Sequence, residues 1–153
     1  MSPDVNIRSS SYYIAETSAQ CMHCGRSTRV FALGLPPGHE MLVEDEWRAV
    51  AVDAFIFHVT ALTSSVRREL TRFCSSFRPA SGTDASTSYW ANHCEHCELA
   101  LSDDELHGEP GGFMPGTPDE AEAILLLAVL QPCSAMAAGH APDPAFFSSM
   151  RQR

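Results

Sequence analysis

Two short cysteine pairs, far apart in the chain, limit what this sequence can fold into more than any other feature. They are Cys21-Met22-His23-Cys24-Gly25 and Cys94-Glu95-His96-Cys97, with 69 residues between Cys24 and Cys94. A two-residue gap lets both thiolates of a tight turn point at one ion, and a Gly after the second Cys permits the positive φ that such a turn often needs. Four soft sulfur ligands suit tetrahedral zinc and leave no open position for a substrate. The pattern therefore reads as one structural zinc per chain on Cys21, Cys24, Cys94 and Cys97, with no catalytic residue assigned. Iron fits the same four-thiolate cage. Compact zinc motifs separate their halves by about 15 to 20 residues, so the longer gap makes the intervening elements an insertion carried on a split ribbon. Closing that loop costs chain entropy, against which zinc binding in small motifs supplies on the order of 10 kcal/mol or more.

A thiol redox pair is the competing reading of each unit. It wants the first Cys exposed at a helix N-terminus, and no convincing amphipathic helix follows either pair. His23, His93 and His96 flank the thiols. With four Cys already present, they are expected to hydrogen-bond around the site or shield it rather than ligate. Cys74 and Cys133 lie on apolar positions and are expected as buried small hydrophobes.

Length and composition set the frame. The 153 residues fit one domain, and 44% hydrophobic with 19% charged residues is globular composition. The start of the chain lacks the order of a signal peptide, and no apolar run approaches the roughly 18 residues that span a bilayer. A cytoplasmic location with no membrane association is expected, where thiols stay reduced. The net charge is −9 and all ten basic residues are Arg. Residues 1–80 balance eight Arg against eight acids, whereas residues 81–153 set two Arg against eleven, so the excess is C-terminal. That field opposes contact with phosphate backbones. The residues left for nucleic-acid binding are Arg26, Arg29 and the cluster Arg67, Arg68 and Arg72.

The segments Tyr12 to Thr17 and Thr28 to Leu33 are rich in strand formers and flank the first pair, predicting a hairpin with the CxxC at its tip. Ala54 to Leu62 predicts a central strand, with Phe55, Phe57 and Val59 on one face and Ile56, His58 and Thr60 on the other. From about Ser64 to Ser76 the period becomes helical, gathering Val66, Leu70, Phe73, Cys74 and Phe77 on one face. Thr87 to Trp90 predicts a strand entering the second pair. Thr117-Pro118-Asp119-Glu120 carries an N-cap, a Pro at the first helical position and a capping-box Glu, and the helix it opens is expected to run through the apolar stretch Ile124 to Leu130. His58 reads as a core or sheet-face histidine, and Asp103-Asp104-Glu105 with His107 as a solvated turn.

The motif YYIAETxxxCxxC, followed by Thr28-Arg-Val-Phe-Ala-Leu33, and the later Tyr89-Trp-Ala-Asn-His-Cys94-Glu-His-Cys97 with Leu106-His-Gly-Glu-Pro-Gly-Gly-Phe-Met-Pro115, resemble a group of uncharacterised bacterial zinc-ribbon-like proteins. The resemblance covers about half of the chain, around the two cysteine pairs. It implies a bacterial origin and a shared metal site, and no activity. This chain departs from the group's pattern after Cys97, with Glu98 in place of Gly and Leu99 to Asp104 in place of a Gln-Gly-Asp run.

The expected architecture is α+β: a mostly antiparallel sheet, two main helices and a split zinc-ribbon-like site. Residues 1–10 are expected as a flexible N-terminus, 11–135 as the domain and 136–153 as a C-terminal tail. The expected role is a zinc-stabilised, non-enzymatic module that binds a protein partner, as an adaptor, immunity protein or inhibitor would. A nucleic-acid-binding ribbon and a CxxC redox protein are the alternatives.

Overall fold

A strand with apolar residues at successive positions must be covered on both faces, and Ser27–Leu35 has that character. From Val30 to Leu35 every residue is buried, with Phe31, Leu33 and Leu35 in one core and Val30 and Ala32 in another. This strand is β3 in a computed structural model that describes residues 5–80, 89–108 and 112–152. It pairs with β2 (Tyr12–Gln20) from Tyr13 opposite Gly34 to Gln20 opposite Ser27, forming the expected hairpin with the first cysteine pair at its tip.

Around this hairpin lie β1 (Ile7–Ser9), β4 (Glu40–Val43), β5 (Glu46–Ala49), β6 (Ala54–Leu62), β7 (Phe77–Pro79), β8 (Trp90–Asn92), β9 (Leu125–Val129), β10 (Cys133–Pro142) and β11 (Arg151–Gln152). The main sheet runs β11-β9-β2-β3-β6-β10-β1-β4-β5, with β8 joined to β6 and β7 to β8. Its ladders are antiparallel except β11 on β9. The sheet therefore matches the expected mostly antiparallel class. Three short helices accompany it among the described residues: α1 (Ser64–Phe73), α2 (Asp103–Gly108) and α3 (Pro118–Glu122), followed late in the chain by a single 3-10 turn at Phe147–Ser149. α1 covers one face through Val66, Leu70 and Cys74, while Leu106 of α2 and Ala121 of α3 cover the other.

Several expectations change. The second main helix is absent as such. Thr117 does cap a helix, its hydroxyl accepting from Glu120 N, but the helix stops at Glu122 and Leu125–Val129 forms β9 against β2. A short apolar run has no period that separates buried helix from buried strand, and here the open edge of β2 decides for strand. The helix of α1 ends at Phe73, three residues early, and leaves Phe73 about half exposed at 48%. Of the strand expected at Thr87 to Trp90, Thr87 and Ser88 lie outside the described residues, and the pairing begins at Trp90.

The faces of β6 also shift. Ile56, Val59 and Leu62 share one core while Phe55 faces the other, because His58 adopts a left-handed φ of 51° that breaks strict alternation. Parts of both terminal segments lie in the sheet. Ile7–Ser9 forms β1, between β10 and β4, and residues 136–142 belong to β10, between β6 and β1. Ala135 and Ala137 are buried there, and such small side chains carry little hydrophobic signal in a sequence.

Candidate metal centre

Both cysteine pairs fold into the same turn. In the first, Gly25 N donates to Cys21 O (2.8 Å), Cys21 N donates to Arg26 O (2.8 Å) and His23 N points at Cys21 Sγ (3.3 Å). In the second, Glu98 N donates to Cys94 O (2.9 Å), Cys94 N donates to Leu99 O (2.9 Å) and His96 N points at Cys94 Sγ (3.4 Å). Counted from the first Cys of each pair, the bonds fall at identical offsets. Glu98 thus occupies the place of Gly25, and at φ 64° it takes the left-handed conformation that Gly25 takes at φ 77°. The second turn, which has Glu98 where the first has Gly25, is the same turn, with a Glu accepting the strain.

The two turns close on each other. All four Sγ atoms of Cys21, Cys24, Cys94 and Cys97 lie within 4.8 Å of one another. Across the turns, Cys21 Sγ is 3.7 Å from Cys97 Sγ and Cys24 Sγ is 3.6 Å from Cys94 Sγ. A tetrahedral ion with metal–sulfur bonds of about 2.3 Å sets its sulfurs about 3.8 Å apart. Sulfurs joined in a disulfide would be about 2.05 Å apart, so the spacing is that of ligands around a shared ion and not of a bonded pair. Cys21 and Cys94 are buried at 1% exposure, Cys97 is intermediate and Cys24 is exposed.

Backbone N–H groups prepare the sulfurs for the ionised form. The amides of Cys97 and His96 hold the Cys94 thiol down at about 6, against the opposing effect of burial. Leu99 N–H acts the same way on Cys97, but burial and the neighbouring thiols outweigh it and push that thiol up to about 11. Four close thiolates compete for ionisation, and a divalent cation would remove that competition.

The histidines clasp the halves. His23 Nε2 meets Ala100 O of the second unit at 3.4 Å, and His96 Nε2 meets Ser27 O of the first at 3.0 Å. Each carbonyl stands six residues beyond the first Cys of its own unit, so the exchange is reciprocal. His93 lies elsewhere: it is 5% exposed, with Nδ1 against Ala91 O (3.0 Å) and Ser76 O (3.2 Å).

Further bonds tie the strands that carry the pairs, through Asn92 and Glu95, which sequence reasoning passed over, and through Arg29, which it set aside for nucleic acid. Asn92 is fully buried; its Oδ1 accepts from Phe31 N (2.7 Å) and its Nδ2 donates to Phe31 O (2.8 Å), so one side chain completes the backbone pairing of β3. Glu95 N donates to Thr28 Oγ1 (2.9 Å). The Glu95 carboxylate takes Arg29 N (2.9 Å) and the Arg29 guanidinium (2.8 Å). The Arg29 guanidinium and amide hold the Glu95 carboxyl below its ordinary range. The signal available for these contacts was positional: Asn92 and Glu95 bracket Cys94 as closely as Thr28 and Arg29 follow the first turn.

The remaining sequence candidates lie outside the cage. Cys74 and Cys133 are buried in the core under α1, and burial pushes the Cys133 thiol up to about 12. His58 N donates to Asp103 Oδ2 (2.9 Å) and His58 Nε2 meets Asp104 Oδ1 (2.9 Å). His107 stacks between Phe57 (4.5 Å, 11°) and Phe113 (5.2 Å, 20°) instead of lying on a solvated turn. No protein-family model matches the chain, and neither a curated protein nor a solved structure matches it.

Proposed function

We propose that the protein is a zinc-stabilised, non-enzymatic interaction module whose metal, on Cys21, Cys24, Cys94 and Cys97, is structural. The observation that carries this reading is the cage itself: four sulfurs within 4.8 Å of one another, two pairs of them at tetrahedral edge spacing, on two matched turns that bond to each other. Zinc takes those four thiolates and has no position left for a substrate, so its contribution is to hold the hairpin tip and the β8 end together. The arrangement has the two-turn logic of a zinc ribbon with its halves far apart in sequence.

A protein partner is the reading best supported for the surface. The acid excess of the C-terminal half includes Asp104, Glu105, Asp119, Glu120 and Glu122, all exposed. On the same half of the chain Leu130 stands 87% exposed and Met114 45% exposed. Acids interleaved with apolar side chains suit a basic, partly apolar protein surface. The redox alternative has less support, since β3 follows the first pair and no helix begins until Asp103 after the second. For nucleic acid, Arg29 is already committed to Glu95.

Metal analysis of protein purified under reducing conditions tests the central claim. About one equivalent of zinc per chain is expected, with the four cage thiols protected from reagent until a chelator is added. Less than about half an equivalent, or fast labelling of a cage thiol in metal-loaded protein, would sink it.

A further inference from the structure

The N-terminal end of α1 is built against the ordinary rules of helix stability. Its N-cap, Thr63, makes no side-chain cap bond, and its first turn holds no acid. Arg67 and Arg68 follow at the close of that turn, and Arg72 lies in the last turn, where the helix dipole favours a cation. Arg67, Arg68 and Arg72 are all exposed, and none forms an ion pair among the described residues. In a chain of net charge −9, three cations in six residues, with Glu69 as the one acid among them, stand out. Where local chemistry conflicts with fold stability, a ligand is a physical reason for it.

The arginines also share a cavity. A groove of about 680 Å³ is lined by Ser64, Arg67, Arg68, Arg72, Pro79 and Trp90, together with Thr71. The groove is shallow and open to solvent on its outer side. Ser64 opens the helix, so the first residue of α1 and its three arginines line one space. Pro79 and the edge of Trp90, a residue 7% exposed, supply an apolar wall, the indole fixed by its packing on Phe77 at 6.0 Å. Arg72 lies over the Phe73 ring at 5.1 Å, an arrangement that holds the guanidinium while leaving its edge free to donate.

We infer that this groove binds a phosphate monoester carried on an apolar or aromatic group. The charge match selects phosphate: a monoester dianion carries about 1.5 to 2 negative charges at neutral pH and three strong acceptor oxygens. A single carboxylate offers two oxygens and one charge to three guanidinium groups. From Arg67 to Arg72 the helix rises only about 7.5 Å, which suits one phosphate and not a tract of backbone. Guanidinium forks are the side chains suited to such bidentate contacts. The apolar wall receives the group that bears the phosphate.

Titration calorimetry of the full, metal-loaded chain at low salt tests this, with phenyl phosphate, inorganic phosphate, and a phosphotyrosine peptide beside its unphosphorylated form. Phenyl phosphate is expected to bind saturably and about tenfold more tightly than inorganic phosphate, reflecting the apolar wall. The variant R68Q/R72Q is expected to lose at least about tenfold while keeping its zinc content and circular dichroism, since both side chains are exposed. Tighter binding of the phosphopeptide than of phenyl phosphate would identify the source as a phosphorylated side chain. Equal binding of the two would identify a free monoester. Three results would overturn the inference: no saturable binding of phenyl phosphate or the phosphopeptide, unchanged affinity in R68Q/R72Q, or preferential binding of a single-stranded oligonucleotide with a salt dependence that reports several phosphates. Because zinc content is read in the same samples, loss of the metal reading would be distinguished from loss of this one.

Discussion

At the residue scale, the two halves of the cage differ most where Glu98 stands in place of a Gly. Left-handed backbone costs an ordinary L-residue roughly 1 kcal/mol or more, and Glu98 carries that cost at φ 64°. Its N–H bond to Cys94 O is a backbone contact that any residue can make. Glu98→Gly is therefore expected to raise stability by about 1 kcal/mol and to leave zinc stoichiometry unchanged, as read by chemical unfolding of the loaded protein. An unchanged or lowered midpoint would show that the carboxylate does something the backbone argument omits. Asn92 presents the opposite case. It satisfies both backbone groups of Phe31 in a fully buried position, so truncation strands a donor and an acceptor together. Asn92→Ala is expected to cost about 2 to 5 kcal/mol, and Asn92→Asp to be nearly as harmful because it loses the donor and buries a charge. Hydrogen exchange should localise the loss to the Phe31 amide.

At the element scale, the hairpin of β2 and β3, the strand of β6 and the amphipathic α1 were legible in the sequence because each shows a clear period or strand-forming run. The cage was legible because ligand type and spacing are chemical signals that need no fold. What stayed hidden has physical reasons. Leu125–Val129 is apolar all round, so only the open edge of β2 makes it a strand. β10 is rich in Ala and Gly, residues that bury well and announce little, so it resembled a tail. The reciprocal His23 and His96 contacts join residues more than 60 positions apart, which no local pattern reports. Gly139 shows why small residues matter in β10. It sits opposite Phe57, and a Cβ there would overlap the Phe57 ring. That ring in turn stacks on His107. Gly139→Ala is expected to tilt Phe57 off His107 and cost about 1 to 3 kcal/mol in stability, an overpacking penalty that unfolding curves would read directly. Wild-type stability in that variant would mean the ring moves freely and does not anchor α2.

At the scale of the whole molecule, the α2 side of the sheet is joined to β6 by aromatic stacking as well as by charge, and that makes stability depend on pH. His107 is pressed between Phe57 and Phe113, and burial first, then the nearby His58, lowers its pKa to about 4. The unfolded chain titrates this group near its ordinary value of about 6.5. Above that value both states hold a neutral imidazole and the group contributes nothing to the slope. As pH falls below it, the unfolded state takes up a proton that the fold refuses, so stability drops until the folded value is reached. The loss from this residue is at most roughly 3 kcal/mol, spread between about pH 6.5 and pH 4. Two other processes fall in or near the same range. Protonation of the cage sulfurs would release a bound metal, and Asp103, whose carboxyl is raised chiefly by burial, takes up its proton more readily in the fold and so opposes the trend. Both are common to the wild type and to a His107→Gln variant, so the difference between the two isolates the imidazole. The variant is expected to be the less stable protein at about pH 7, where it loses the stacked ring, and to close most of that deficit by about pH 4.5. Parallel curves for the two proteins across that interval would show that His107 titrates alike in both states, and that the aromatic sandwich does not exclude the proton.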